Sequence, residues 1–155
     1  MTSLLLAILL LVTPPTPQQV EADFTQTKTT SLLKGEQGST GHFSYKAPDY
    51  LRWEYLTPTS LVWSTANDGT TNPHIQQVLH LILRTINGDY LQENNDFTVS
   101  QTAANTYLLS PKKRELRQLF TSIRIHLVEA TGLADQVVLT EKNGDTTTIA
   151  FRYTH

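Results

Sequence analysis

The sequence predicts a mainly β protein of one domain, in which an antiparallel meander curls into a barrel or half-barrel and carries one helix. Most of the chain shows the alternation of apolar and polar residues that is typical of half-buried strands. Turn-forming residues interrupt this alternation roughly every 8–12 residues, which is the spacing of all-β sandwiches and barrels. A length of 155 residues matches one ordinary domain with its own core.

The composition excludes several classes of protein. The chain has no cysteine, which excludes a disulfide framework, a cysteine-ligated metal and a thiol nucleophile. Charged residues make up 17% of the chain and the formal net charge is −2. Neither disorder nor a nucleic-acid partner is indicated by these values.

The N-terminus carries a pattern that is typical of export. Residues 4–12 form an unbroken apolar run, which is shorter than the roughly 20 residues that a membrane-spanning helix needs. Pro14 and Pro15 follow the run and end its helix. We therefore interpret residues 1–19 as a signal peptide and residues 20–155 as the exported β domain. The alternative is that the run forms a buried first helix or strand of the fold.

The first half of the predicted domain contains four strands. The cleanest alternation brings Leu51, Trp53 and Tyr55 to one face and places Arg52 and Glu54 on the other. Turns that contain proline separate the strands, because the proline ring presets the φ angle that a turn needs. The four predicted strands cover residues 22–30, 41–46, 51–55 and 60–64.

One stretch in the middle of the chain has helical periodicity instead. Leu79, Ile82, Leu83 and Ile86 recur at spacings of three and four residues, which predicts an amphipathic helix over residues 75–86. An Asn-Gly pair directly after it is a typical helix end. A helix with so broad an apolar stripe has to cover other apolar surface.

Strands resume after the helix and continue to the C-terminus. Asn143-Gly144 separates the last two of them and is the strongest short signal for a β-hairpin. The intervening basic stretch, residues 112–117, is interpreted as a solvated turn. The predicted strands cover residues 96–101, 106–110, 121–129, 136–142 and 145–153.

The sequence lacks the usual catalytic and metal-binding patterns. It contains no nucleophile elbow, phosphate-binding loop, zinc-protease motif or dinucleotide fingerprint. His74 and His80 are six residues apart, which places them on different faces of a helix and argues against a shared metal. The basic stretch lacks the interleaved aromatic residues of a nucleic-acid site. We therefore expect no enzymatic activity, no cofactor, no metal and no nucleic-acid partner.

The candidate site is a set of large apolar side chains on one side of the predicted sheet and on the predicted helix. Packing in an ordinary core would explain every one of those on the sheet. If the sheet is curved enough to leave a hollow, the same side chains line an apolar cavity and the helix is its lid. The candidates for the cavity and the lid are Phe24, Phe43, Tyr45, Leu51, Trp53, Tyr55, Leu61, Trp63, Leu79, Ile82, Leu83 and Ile86.

Several short segments follow a recognisable order. Phe24, Gln26 and Lys28 form an F-x-Q-x-K pattern in the first predicted strand. Residues 41–55 combine a glycine-led strand, a K-x-P turn and the run Leu-Arg-Trp-Glu-Tyr. In order and spacing, these segments resemble the LolA family of periplasmic lipoprotein carriers over residues 20–153. Further similar segments are residues 88–91, 96–97, 109–113, 120–124 and 141–145.

This resemblance implies a fold, a cargo and partners. The fold would be an incomplete antiparallel β-barrel, or half-barrel, with a helical lid, as in LolA and LolB. The apolar cavity would hold the acyl chains of lipoproteins in the periplasm. The chain, expected to be a monomer, would take them from an inner-membrane ABC transporter and pass them to an outer-membrane acceptor lipoprotein.

Three departures from the family pattern keep other functions open, one of which is that the segment of residues 68–73 is shorter than in the family. Only residues 14–19 stand where the family has a helix between the signal and the first strand. Ala47 stands where the family has the arginine that latches the lid. One alternative is a carrier for another amphiphile, such as a glycolipid or an envelope precursor. Another is a structural β-protein with a filled core.

Overall fold

One antiparallel sheet of nine strands dominates the fold, and it stays open because its two edge strands do not meet. The computed structural model describes residues 19–30, 35–47, 49–66, 84, 91–92 and 94–154. The strands are β1 (Gln19–Thr30), β2 (Gly35–Lys46), β3 (Tyr50–Thr57), β4 (Leu61–Ser64), β5 (Phe97–Ala103), β6 (Thr106–Pro111), β7 (Phe120–Leu127), β8 (Ala134–Glu141) and β9 (Thr146–Tyr153).

The mainly β fold class is therefore confirmed, as one open sheet with very little helix among the described residues. The strand order is β4-β3-β2-β1-β9-β8-β7-β6-β5, so the first and last of these strands pair in the middle of the sheet. The predicted lid helix, residues 75–86, lies outside the described residues apart from Arg84, which is helical.

Alternation along the strands gives the sheet an inner and an outer face. On β1, the side chains of Val20, Ala22 and Phe24 are buried on the inner face, whereas Asp23 lies on the outer face. His42 Nδ1 lies 2.9 Å from a carboxylate oxygen of Asp23, and Arg152 donates to the other one at 3.3 Å. These two partners lower the pKa of Asp23 below its ordinary value.

Two strands begin earlier than their sequence pattern predicts. Strand β1 begins at Gln19 rather than at residue 22, and β2 begins at Gly35 rather than at residue 41. Residues 35–40 are polar or glycine, so they show no apolar alternation. Main-chain pairing with residues 25–30 of β1 nevertheless extends the ladder through them. The boundary between a signal peptide and the domain after residue 19 stays a prediction.

The hairpin between β8 and β9 forms at the predicted Asn143-Gly144 turn. The backbone N–H of Glu141 donates to the carbonyl of Asp145 at 2.8 Å and closes the turn. Gly144 has a φ of 93°, a conformation that side chains with a Cβ rarely adopt.

We expect Gly144→Ala to destabilise the protein by about 1–2 kcal/mol, because the added Cβ strains the left-handed backbone. The space around this glycine is open, so a steric clash would not contribute. The measurement is the midpoint of urea unfolding, with Gly144→Asn as the control, since asparagine tolerates this conformation. Equal losses for alanine and asparagine would contradict the conformational explanation.

The core consists of two apolar clusters on the inner face. The β7–β8–β9 pairing joins them, because Ile125, Val137 and Ile149 are directly opposed on adjacent strands. The first cluster contains Val20, Ala22, Phe24, Phe43, Tyr45, Leu51, Trp53 and Ile149. The second contains Phe97, Leu109, Leu116, Phe120, Ile123 and Ile125.

The basic stretch forms a short helix, α1 (Arg114–Arg117), where the sequence predicts a turn. Burial of Leu116 in the second cluster explains the helix, because one helical turn brings this side chain inward and leaves its neighbours in solvent. Lys113 forms an ion pair with Asp96 at 2.7 Å. The basic side chains are exposed, as predicted.

Candidate functional site: an apolar cavity on the inner face

The inner face of the sheet carries a partly open cavity of about 250 Å³. Strands from both halves of the chain line it, together with the loop between β7 and β8. No described residue on its wall carries a charged side chain. The lining residues are Val20, Gln26, Phe43, Trp53, Tyr55, Trp63, Ile123, Gly132, Leu133, Ala134, Val137, Leu139, Thr147, Ile149, Phe151 and Tyr153.

Aromatic rings form the wall on the side of β3 and β4. The ring of Trp53 stacks on Phe24 with centroids 4.1 Å apart and lies 6.1 Å from Phe151 in an edge arrangement. Tyr55 meets Trp63 edge to face at 5.3 Å. Such packed ring pairs are worth about 0.5–1.5 kcal/mol each beyond the area they bury. The wall is therefore a continuous surface of packed aromatic rings.

The strand pattern explains how this wall arises. Alternation along β3 brings Trp53 and Tyr55 to the inner face. Trp63 on β4 is directly opposed to Trp53 and therefore lies on the same face. The four strands β1 to β4 are joined as consecutive neighbours, so a short segment of sequence builds half of the cavity.

The opposite wall consists of aliphatic residues from β8 and larger side chains from β9. Val137 is paired with Ile149, and Leu139 with Thr147. The hydroxyl of Tyr153 donates to the carbonyl of Ala134 and so connects the end of β9 to the start of β8. Burial first, and the charge of Asp135 second, raise the pKa of Tyr153, so its hydroxyl keeps its proton.

Few polar groups face the cavity. The hydroxyl of Tyr55 donates to Oε1 of Gln26 at 2.9 Å, and burial raises the pKa of this phenol. The indole N–H of Trp63 is buried and has no hydrogen-bond partner among the described residues. An unpaired buried donor costs about 1–3 kcal/mol. The aromatic wall thus carries a cost in stability that ordinary core packing avoids.

The structure places the predicted site residues in four groups. Phe43, Trp53, Tyr55 and Trp63 line the cavity. Phe24, Tyr45 and Leu51 belong to the first cluster and do not reach the cavity. Leu61 is 39% exposed on the edge strand. The predicted lid residues Leu79, Ile82, Leu83 and Ile86 lie outside the described residues.

Twelve of the sixteen lining residues were not predicted as site residues from the sequence. Ile149, Phe151 and Tyr153 alternate on β9, so their shared face could have been found from the sequence. Leu133 and Gly132 belong to a loop, and no periodicity indicates that they close one end of the cavity.

The described part of the chain contains neither a metal-binding cluster nor a helix that could span a membrane. Its histidine, aspartate and glutamate side chains do not gather in a group of three that could hold a metal ion. Its helices are too short or too polar to cross a membrane. A concave, uncharged and largely hydrocarbon surface binds hydrocarbon most favourably, since apolar ligands gain about 25 cal/mol per Å² that they bury.

Comparison with known proteins identifies a family. Residues 16–155 match the family model described as "Outer membrane lipoprotein carrier protein LolA". No curated protein matches the sequence significantly.

Solved structures show more distant likenesses. The crystal structure of MucB is 15% identical with a TM-score of 0.44, covering 88% of this chain and 53% of MucB. A Pseudomonas aeruginosa MucA/MucB complex is 13% identical with a TM-score of 0.43, covering 89% of this chain and 53% of the other. A LolA superfamily protein from Nitrosomonas europaea is 7% identical with a TM-score of 0.34, and the match covers 88% of this chain and 85% of that protein. This chain thus spans about half the length of MucB, and these weak likenesses add nothing to the family match.

Proposed function

The chain belongs to the LolA family of outer membrane lipoprotein carrier proteins, and on that premise we propose that its cavity holds the acyl chains of lipoproteins. The protein would work in the periplasm, after removal of a signal peptide. It would receive its cargo from an inner-membrane ABC transporter and release it to an outer-membrane acceptor lipoprotein. The proposed role is carriage without a chemical reaction.

One observation supports this proposal beyond the family match: the cavity wall is largely apolar and carries no charged side chain over both halves of the sheet. Each buried CH₂ of a lipid chain contributes about 0.8 kcal/mol, so a chain of about 16 carbons gains on the order of 12 kcal/mol if wholly buried. A carrier without such a surface could not hold the same cargo in water.

The direction of transfer has to come from the partners. The sequence contains no phosphate-binding loop, so the chain has no sequence sign of a nucleotide site of its own. An ATP-driven transporter can supply the energy for extracting the lipid from a bilayer. The carrier then needs only an affinity for the lipoprotein that lies between the affinity of the transporter and the affinity of the acceptor.

The decisive experiment is release of lipoprotein from spheroplasts. The purified protein is added to spheroplasts of its host that synthesise labelled triacylated lipoprotein, and the soluble fraction is analysed. Label in a soluble complex with the protein supports the proposal. Label that stays on the membrane in the presence of folded protein contradicts it. Mass spectrometry of the purified protein would then identify another amphiphile, such as a glycolipid or an envelope precursor.

A charge placed in the cavity should weaken lipid binding. We expect Val137→Glu to weaken the binding of a fluorescent fatty acid by at least about tenfold, equivalent to 1.4 kcal/mol, because the carboxylate loses hydration when an acyl chain enters. The measurement is a titration followed by the fluorescence of the protein's two tryptophans, both of which line the cavity.

The matched control for this substitution is Val138→Glu. Val138 is the next residue of β8, is similarly half-buried and lies on the outer face opposite Arg124. The same charge there should leave lipid binding unchanged. Equal binding by the two variants, both folded by circular dichroism, would exclude the cavity as the lipid site.

A further inference from the structure

The inner face of β1 changes from apolar to polar along its length. Val20, Ala22 and Phe24 are almost fully buried. The next two inner-facing residues are Gln26, which lines the cavity, and Lys28, whose side chain is 38% exposed. The cavity wall therefore has two different ends.

Neighbouring strands share this polarity. Gln26 is directly opposed to Ser39 on β2, and Lys28 is opposed to Gln37 on β2 and to Thr147 on β9. Directly opposed residues lie on the same face of a sheet. We call these five residues, Gln26, Lys28, Gln37, Ser39 and Thr147, the polar corner.

The opposite end of the cavity is hydrophobic. Tyr153, Leu133, Val20 and Phe43 line it, and the Tyr153 hydroxyl is engaged by the Ala134 carbonyl. Thr147 and Tyr153 are six residues apart on β9, which corresponds to about 20 Å along a strand. Gln26 and Thr147 of the polar corner line the cavity, so the cavity extends from the edge of the polar corner toward the apolar end along β9.

The polar corner presents hydrogen-bond donors. The side-chain oxygen of Gln26 accepts the Tyr55 hydroxyl, so the amide N–H groups of Gln26 remain as donors beside the cavity. The Lys28 ammonium lies 3.4 Å from a carboxylate oxygen of Glu141. Donors of this kind complement a group that only accepts, such as an ester carbonyl or a carboxylate.

We propose that the cavity binds an acyl chain in one orientation, with its carbonyl end at the polar corner and its methyl end beside Leu133 and Tyr153. Gln26 and Lys28 donate hydrogen bonds to the carbonyl oxygens of the ligand. The Glu141 carboxylate competes with these oxygens for the Lys28 ammonium. This orientation rests on the proposed function, because it requires that the cavity take up acyl chains. It adds the chemical class of the ligand: an acyl carboxylate or ester whose linkage accepts hydrogen bonds.

The orientation can be measured by site-directed fluorescence quenching. The chain lacks cysteine, so Gln37→Cys at the polar corner and Thr131→Cys, in the loop beside Gly132, can each carry a single bimane label. Stearic acids with a nitroxide quencher on carbon 5 or on carbon 16 are then bound. The carbon-5 quencher should act more strongly at position 37, and the carbon-16 quencher more strongly at position 131.

The outcomes separate the orientation from the proposed function. The same quenching by both acids at each site, or the reverse order, overturns the orientation while leaving lipid binding intact. Failure of either acid to bind, measured independently by displacement of a fluorescent fatty acid, overturns the orientation and the proposed function together.

Charge variants provide an independent test of the role of the polar corner. Lys28→Gln should weaken stearate binding severalfold, and Glu141→Gln should strengthen it severalfold, because the first removes the ammonium and the second removes its competitor. Methyl stearate should respond less to both, since it has no negative charge. The control is Lys142→Gln, an exposed residue next to Glu141, which should change neither ligand. An equal effect of Lys28→Gln and Lys142→Gln would overturn the role of the polar corner.

Discussion

Replacing Gly41 with alanine is expected to destabilise the protein by about 3 kcal/mol or more, at the upper end for an overpacked core. A Cβ on this residue would lie 2.6 Å from Cε2 of Phe24 and closer still to Cζ of that ring and to the carbonyl oxygen of Glu54. The ladder between β2 and β3 shifts its register at Thr40 and Gly41. This irregularity brings the Glu54 carbonyl against Gly41, and a backbone oxygen cannot move aside as a side chain can.

The same strand offers a matched control for this prediction. Gly38 has no atom within 4 Å of the position that a Cβ would take, so Gly38→Ala should change stability by less than about 1 kcal/mol. Urea unfolding followed by circular dichroism gives both values. Similar midpoints for the two variants would show that β2 can move away from β3 and that the glycine is dispensable.

The second large effect is expected for Phe24→Ala, which should lower the free energy of unfolding by about 3–5 kcal/mol. Phe24 is 2% exposed, stacks on Trp53 and meets Tyr55 edge to face at 5.5 Å. Its removal leaves a void behind the aromatic wall, because the strands on both sides are fixed by their ladders.

Two comparisons test this explanation of the Phe24 effect. Leu56→Ala removes a leucine that is 51% exposed and should cost no more than about 0.5 kcal/mol. Phe24→Leu keeps most of the side-chain volume, so its loss of free energy of unfolding should lie between those of Phe24→Ala and Leu56→Ala. If Phe24→Ala proves as mild as Leu56→Ala, the first cluster does not carry the stability of this half of the sheet.

Local sequence signals were sufficient for most strands, and their limits have a physical cause. The Asn143-Gly144 hairpin and the alternation of residues 51–55 appear in the structure because both are properties of neighbouring residues. The early part of β2, residues 35–40, was missed because main-chain pairing with β1 holds it. That pairing depends on a partner strand and leaves no pattern in the side chains.

The candidate site was harder to predict than the fold. Tyr45 and Trp53 alternate in the same way, yet Trp53 lines the cavity and Tyr45 packs only within the first cluster. Period-2 alternation reports which face a residue occupies, and it carries no information on whether that face is filled or hollow at that point. Whether the face is filled or hollow depends on which strands face one another. The identity of the residues that bind ligand stays a prediction.

The central pairing of β1 with β9 also governs how the protein can assemble. Every other ladder joins strands that are consecutive in the chain, whereas this one pairs Ala22 with Tyr153 and so carries the highest contact order. Closing so long a loop is entropically slow. We therefore expect strands β1–β4 and strands β5–β9 to form their own ladders before β1 pairs with β9. Until then both apolar inner surfaces and two bare strand edges face water. Pairing of the final strand with β1 is therefore the step at which a folding chain completes the cavity and covers two of its exposed strand edges.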